Sequence, residues 1–272
     1  MFASRLLLAL GFIATVGAAN AQEITLAVNE GTTYQQAGGV HERYAPLLEL
    51  LSHELKRPVT VKEVDKYAVF DKDLADERYD LAFIHPTQVA LKATVQGDYV
   101  GLCSAKGYTG YRAHVMVPKD SPLKTLADLK GRKIGVPSME SITTTMFIAS
   151  LHRMHIDNPD SSFTATRYQD AVPFMVENKF VDAGVTGSAK VADAWAGKGG
   201  RILGETKPMP IKLFIASKRL TETERTKVQN LLLGLSNTDA GRAALARIGM
   251  AGFVPWDAAV MNDAAQRLGI AK

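Results

Sequence analysis

The chain has 272 residues, 46% of them hydrophobic and 22% charged, with a formal net charge of +4. That is enough apolar material for a sizeable core, and it excludes the disordered and low-complexity classes. The positive residues are scattered, with no basic run of the kind that contacts nucleic acid, so a nucleic-acid partner is excluded too.

In chain order, the first element is an address segment. Arg5 precedes an apolar run over 6–18, and Ala19, Asn20 and Ala21 form a small-x-small site before Gln22. The pattern predicts a secretory signal peptide over 1–21, cleaved after Ala21, and an exported mature protein. No later run approaches the roughly 20 apolar residues of a membrane span. The single cysteine, Cys103, allows no internal disulfide even in an oxidising compartment, so stability must rest on the core.

Ile24, Leu26 and Val28 alternate as a strand. Tyr44, Leu47, Leu48, Leu51 and Leu55 then make one stripe of a helix, and Val59 and Val61 begin a second strand. Leu81, Ala82, Phe83 and Ile84 form a short continuous apolar run, the mark of a buried parallel strand. Residues 100–104 read as a further strand leading into Gly107, Tyr108 and Tyr111. A second series follows: a strand at 134–136, a helix over 142–155 carrying Phe147, Leu151 and Met154, and a buried strand at 183–185. Alternating strands and helices predict an α/β protein of two lobes, each a mostly parallel sheet flanked by helices.

The two series echo each other. Residues 80–90 lie over 182–192: an Asp, an apolar strand, a small polar break, and then Val-Ala (Val89-Ala90 and Val191-Ala192). In open parallel sheets ligands sit beyond the carboxyl ends of strands, so facing lobes would bring four turns, 29–34, 85–88, 138–145 and 186–188, onto one cleft. Those turns offer hydroxyls and imidazole from Thr32, Tyr34, His85, Thr87, Ser138, Ser141, Thr143, Thr144, Thr186 and Ser188. Tyr34, Tyr108 and Tyr111 are candidates for the cleft wall or for packing against a lobe. Residues 138–145 leave a strand and open a helix, whose free amides and positive end suit an oxyanion; plain capping by Ser141 accounts for the same residues. Cys103 is either a buried core residue or a soft ligand. His152 and His155 share a helix face with no third metal ligand nearby, so no metal is expected, nor any cofactor. Cys103 with His85 or His114 could be drawn as a nucleophile and base, but no elbow motif or phosphate loop accompanies them, so the chain is not expected to be an enzyme.

Residues 111–117, Tyr-Arg-Ala-His-Val-Met-Val, followed by 121–136, Ser-Pro-Leu-Lys-Thr-Leu-Ala-Asp-Leu-Lys-Gly-Arg-Lys-Ile-Gly-Val, resemble the segment entering the second lobe of phosphate- and phosphonate-type periplasmic binding proteins. Thr238, Asp239, Ala240 and Gly241, with Gly249 to Phe253, are similar to that family's C-terminal helices. The resemblance covers nearly all of the mature chain. It implies a type II periplasmic binding fold, a first lobe of 22–111 plus 213–272 and a second of 112–212. It implies a monomer that captures a phosphate-, phosphite- or phosphonate-class oxyanion by hinge closure and passes it to an ABC permease in the periplasm, touching the membrane only through such proteins. The family holds its anion on a Ser-Thr-Ser run, where this chain has Ser141-Ile142-Thr143, with Glu140 beside it and no acid in the 186–188 turn. These departures point away from aminoalkyl phosphonates toward a smaller or less charged anion. Some relatives are arsenite-binding components of sensor kinase systems that use a lone cysteine, which makes Cys103 a metalloid ligand in the alternative reading.

Overall fold

The structure, a computed structural model, describes residues 22–31 and 39–271. The expected signal peptide and the candidate residues Thr32 and Tyr34 lie outside them. The alternation at 24–28 forms β1 (Ile24–Asn29), and the leucine stripe forms α1 (Val40–Leu55), with Tyr44, Leu47, Leu51 and Leu55 buried. There follow β2 (Val59–Glu63), α2 (Tyr67–Ala75), β3 (Leu81–Ile84), α3 (Thr87–Gln96) and β4 (Tyr99–Ala105). The chain then crosses to β5 (His114–Val117), β6 (Ile134–Val136), α4 (Ile142–Arg153), β7 (Phe163–Ala165), α5 (Val172–Glu177), β8 (Ala183–Thr186), α6 (Ala189–Gly197) and β9 (Arg201–Glu205). It returns through β10 (Leu213–Ser217), α7 (Glu222–Gly234), α8 (Asp239–Arg247), β11 (Phe253–Pro255) and α9 (Ala258–Arg267).

Two sheets result, a six-stranded one in the order β11-β4-β10-β3-β1-β2 and a five-stranded one in the order β7-β6-β8-β5-β9. They form the two lobes of a type II periplasmic binding fold. Leaving aside β11, one order maps onto the other strand for strand. In each lobe the central strand, β1 or β6, has parallel partners on both sides. The remaining pairings are antiparallel because β5, β10 and the edge strand β11 run against the rest; four strands of each sheet share one direction, so each lobe is the mostly parallel sheet that the sequence pattern predicted. The reversal of β5 and β10 comes from where the chain crosses. β5 and β10 are each the first strand after a crossing, and each enters at the carboxyl end of its neighbour: His114 pairs with Thr186, and Leu213 with Ile84. A strand entering there must run the opposite way.

Successive residues of β1 point to opposite faces, Leu26 and Val28 into one apolar cluster and Ala27 into another. In β5, Val115 and Met116 divide in the same way between the two clusters of the second lobe. Ile142 and Met146 of α4 depart from this pattern, since both pack into the first-lobe cluster with Ile84 and Met209. At each crossing the chain runs beside its return, with Tyr111 and Met209 exchanging backbone hydrogen bonds of 3.1 and 2.9 Å.

Candidate ligand cleft

The echoed aspartates lie at the floor of each lobe. Asp80, just before β3, accepts from the Thr25 amide of β1 at 2.9 Å. Asp182, just before β8, accepts from the Lys133 amide that leads into β6, also at 2.9 Å. The sequence echo is thus a repeated tie between adjacent parallel strands, and it fixes the height at which the opposite strand ends reach the cleft.

At the cleft end of β3, the His85 amide donates to Asn29 O at 2.8 Å and its carbonyl accepts from the Lys212 amide at 3.3 Å. The imidazole lies against Gly31, where a Cβ would come within 2.6 Å of the ring and where φ is +82°. Only glycine meets both conditions. His85 is 7% exposed, and its Nδ1 is buried with no hydrogen-bond partner among the described residues. Burial, reinforced by the nearby Lys212 ammonium, lowers the imidazolium to about 3, so the ring is neutral. Lys212 is itself buried, with its Nζ 4.2 Å from the Tyr108 ring centroid. Burial lowers it to about 8, against an opposing pull from Glu30.

Across the cleft, Ser141 is the N-cap of α4. Its Oγ accepts from the Thr144 amide at 3.2 Å and donates to Ser138 O at 2.9 Å. The amides of Ile142 and Thr143 precede the first intrahelical bond and carry the positive end of the helix. Thr143 Oγ1 lies 2.6 Å from Tyr111 Oη and accepts from Gln169 Nε2 at 3.0 Å. Gln169 Oε1 in turn accepts from Thr186 Oγ1 at 3.0 Å and from the Gly187 amide at 2.8 Å. This relay closes because position 187 has no side chain: a Cβ there would lie 1.7 Å from Tyr111 Oη.

Two spaces share His85, Tyr111 and Gln169 as a common wall. The first is a narrow seam between the lobes, also lined by Tyr67, Ser138, Ser141, Thr143 and Arg167, of about 10 Å³. That is room for about one water, so an oxyanion needs the lobes to part there. The second is an open chamber of about 630 Å³, bounded further by Tyr108, Tyr168, Ser188 and Lys190. Of the candidates read from the sequence, His85, Tyr108, Tyr111, Ser138, Ser141, Thr143 and Ser188 line one space or the other.

Four candidates are turned into the protein instead. Thr87 donates to Pro210 O, Thr144 meets the Ser141 hydroxyl at 3.0 Å, and Thr186 is held by Gln169. Cys103 is 0% exposed in the first-lobe core, where burial pushes its thiol up and keeps it protonated. His114 Nδ1 is 2.9 Å from Glu205 Oε1, a structural partner. The departures at 140–142 have physical reasons. Ile142 is apolar because it packs into the opposite lobe, and Glu140 is exposed, with its carbonyl accepting from Gln88 Nε2 at 3.1 Å.

Sequence reasoning missed Tyr67, the first residue of α2, Arg167, Tyr168 and Gln169 from the turn after β7, and Lys190 of α6. The signal that could have found all but Lys190 was the echo itself, extended to the second strand of each lobe. Among the described residues no group of three or more His, Cys, Asp or Glu is placed to hold a metal ion, and no helix is long and apolar enough to cross a membrane.

Residues 31–261 match the sequence profile of the family described as ABC transporter, phosphonate, periplasmic substrate-binding protein. No curated protein sequence matches the chain. Among solved structures it is similar to XAC2383 from Xanthomonas citri bound to ATP, at 16% identity over 91% of this chain and 97% of that one, with a TM-score of 0.74. It is similar to PhnD1 from Prochlorococcus marinus in complex with methylphosphonate, at 14% identity over 91% and 97%, with a TM-score of 0.65. It is also similar to the aliphatic sulphonate binding protein SsuA from Escherichia coli, at 16% identity over 92% and 91%, with a TM-score of 0.54. At these identities the structural likeness establishes the fold.

Proposed function

The chain belongs to the family of periplasmic substrate-binding proteins of phosphonate ABC transporters, and on that premise we propose that it captures a small oxyanion of the phosphate, phosphite or phosphonate class by hinge closure and delivers it to an ABC permease. The family's work is solute binding rather than catalysis, and its place is the periplasm. The observation that carries the ligand class is the convergence on one seam of the α4 amino end, the Ser138 and Thr143 residues, the Arg167 cation and the imidazole of His85, whose Nδ1 has no partner among the described residues. A neutral imidazole can donate from Nδ1, the helix end supplies amides, and Arg167 supplies charge. The paired crossings near 111 and 209, with lobe boundaries at 111/112 and 212/213, are the hinge of this reading.

A thermal-shift series with phosphate, phosphite, methylphosphonate, sulfate, arsenate and arsenite tests it. A ligand at 100 times its Kd adds about 2.7 kcal/mol to the stability of the folded state. If none of these anions raises the melting temperature, the oxyanion reading is wrong. The metalloid reading of Cys103, with its sensor kinase partner, requires the thiol to leave the core of the first lobe. A response to arsenite alone that Cys103→Ser abolishes would favour it.

A further inference from the structure

We propose that the ligand is an organic phosphonate or phosphate monoester with a flat aromatic substituent, its anionic head at the shared wall and its ring in the chamber between Tyr108, Tyr111 and Tyr168. This rests on the oxyanion reading above and adds the part of the ligand that reading leaves out. A bare oxyanion of a few heavy atoms would occupy a small part of the roughly 630 Å³ chamber. Spaces of about 300–1,000 Å³ are the usual size for ligands of many heavy atoms.

The chamber opens directly from the polar wall. His85, Tyr111 and Gln169 face both spaces, so a phosphoryl group held there directs its substituent outward into the chamber. His85 is more than nine-tenths buried and its Nδ1 lacks a partner among the described residues, which marks this wall as the place for a polar head. The chamber's lining sets three tyrosines, Val191 and Ile211 among polar residues such as His114 and Ser188. Tyrosine rings offer faces and edges to another ring.

The charges argue against a second anionic group farther out. Arg112 is engaged by Glu205 at 2.9 Å, and Lys190 shares the lining with Asp170. Apart from Lys212 and Arg167, which stand 4.2 and 5.5 Å from the Tyr108 and Tyr168 ring centroids, the charges of the lining are balanced, which suits an uncharged ring rather than a chain of phosphates.

Calorimetric titration of the protein with orthophosphate, methylphosphonate, phenylphosphonate and phenyl phosphate tests the proposal. At least one of the two aromatic ligands should bind at least about tenfold tighter than methylphosphonate, and the tighter of the two tells a phosphonate from an ester. Tyr168 is 40% exposed, so its truncation should leave the fold intact. Tyr168→Ala should bring the aromatic-to-methyl ratio toward one, and Tyr168→Phe, which keeps the ring beneath Arg167, should keep the ratio. Methylphosphonate binding as tightly as both aromatic ligands, or a ratio untouched by Tyr168→Ala, overturns the chamber proposal and leaves the oxyanion reading standing. Failure of all four to bind overturns both.

Discussion

The lobes share one floor plan and differ at the cleft. Asp80 and Asp182 make the same 2.9 Å bond to the neighbouring parallel strand, yet Asp80 also pairs with Arg219 at 3.1 Å, and Arg219 lies just beyond β10, the strand of the return crossing. Above them, β3 ends in a large buried ring, His85, whereas β8 ends in Thr186 and Gly187. At these matched strand ends the first lobe thus brings a side chain to the cleft, and the second brings space, the Gly187 amide and the Gln169 relay. Duplicated strands hold the two ends in register, and the turns are free to diverge because they carry little of the core.

Exchanging these characters should break the comparison most severely at Gly187. Gly187→Val forces a side chain into Tyr111 and Thr143, so we expect a loss of about 3 kcal/mol and of any ligand-induced thermal shift. A stable variant that still responds to ligand would show that the Tyr111–Thr143 contact is dispensable. The next effect is set by pH. The His85 ring titrates at about 3 when folded and near 6.5 when unfolded, so between those values the unfolded chain binds a proton that the folded one does not. Stability should therefore fall as pH falls through that window, by about 2 kcal/mol between pH 6.5 and 5, and His85→Gln should flatten this part of a urea-unfolding series. An identical slope in the variant would assign the loss to other groups.

The aspartates sharpen the comparison at smaller scale. Asp80 is largely shielded and carries the second partner, whereas Asp182 is exposed, so Asp80→Ala should cost about 1.5–3 kcal/mol and Asp182→Ala less than about 1 kcal/mol by urea denaturation. Equal costs would mean that Arg219 adds nothing to the shared bond. The smallest expected change is Ser141→Ala, about 1 kcal/mol of helix capping. A drop in ligand affinity with no drop in stability would instead make its hydroxyl a ligand donor first.

The central strands were legible because apolar runs such as 81–84 and 134–136 have no other stable place than a buried sheet. The α4 amino end was legible from Ser141 and the residues that follow it. The edge strand β7 was not: Phe163, Thr164 and Ala165 are too few and too exposed to give a periodic signal, and the turn after them hid Arg167 and Gln169. The reversal of β5 and β10 follows from where the chain crosses between lobes, which no local pattern encodes. Composition also could not tell a hydroxyl facing the cleft from one folded back. Thr87 and Thr186 read like Ser138 and Thr143, yet the first two end on Pro210 O and Gln169.

Cys103, the protein's only cysteine, sits sealed between β10 and β11 with its thiol protonated. A chain with one unreachable sulfur is a ready background for a reporter dye. Lys190→Cys at the chamber rim would be the position that a maleimide fluorophore reaches, and a change of its emission on adding ligand would report whether the lobes close.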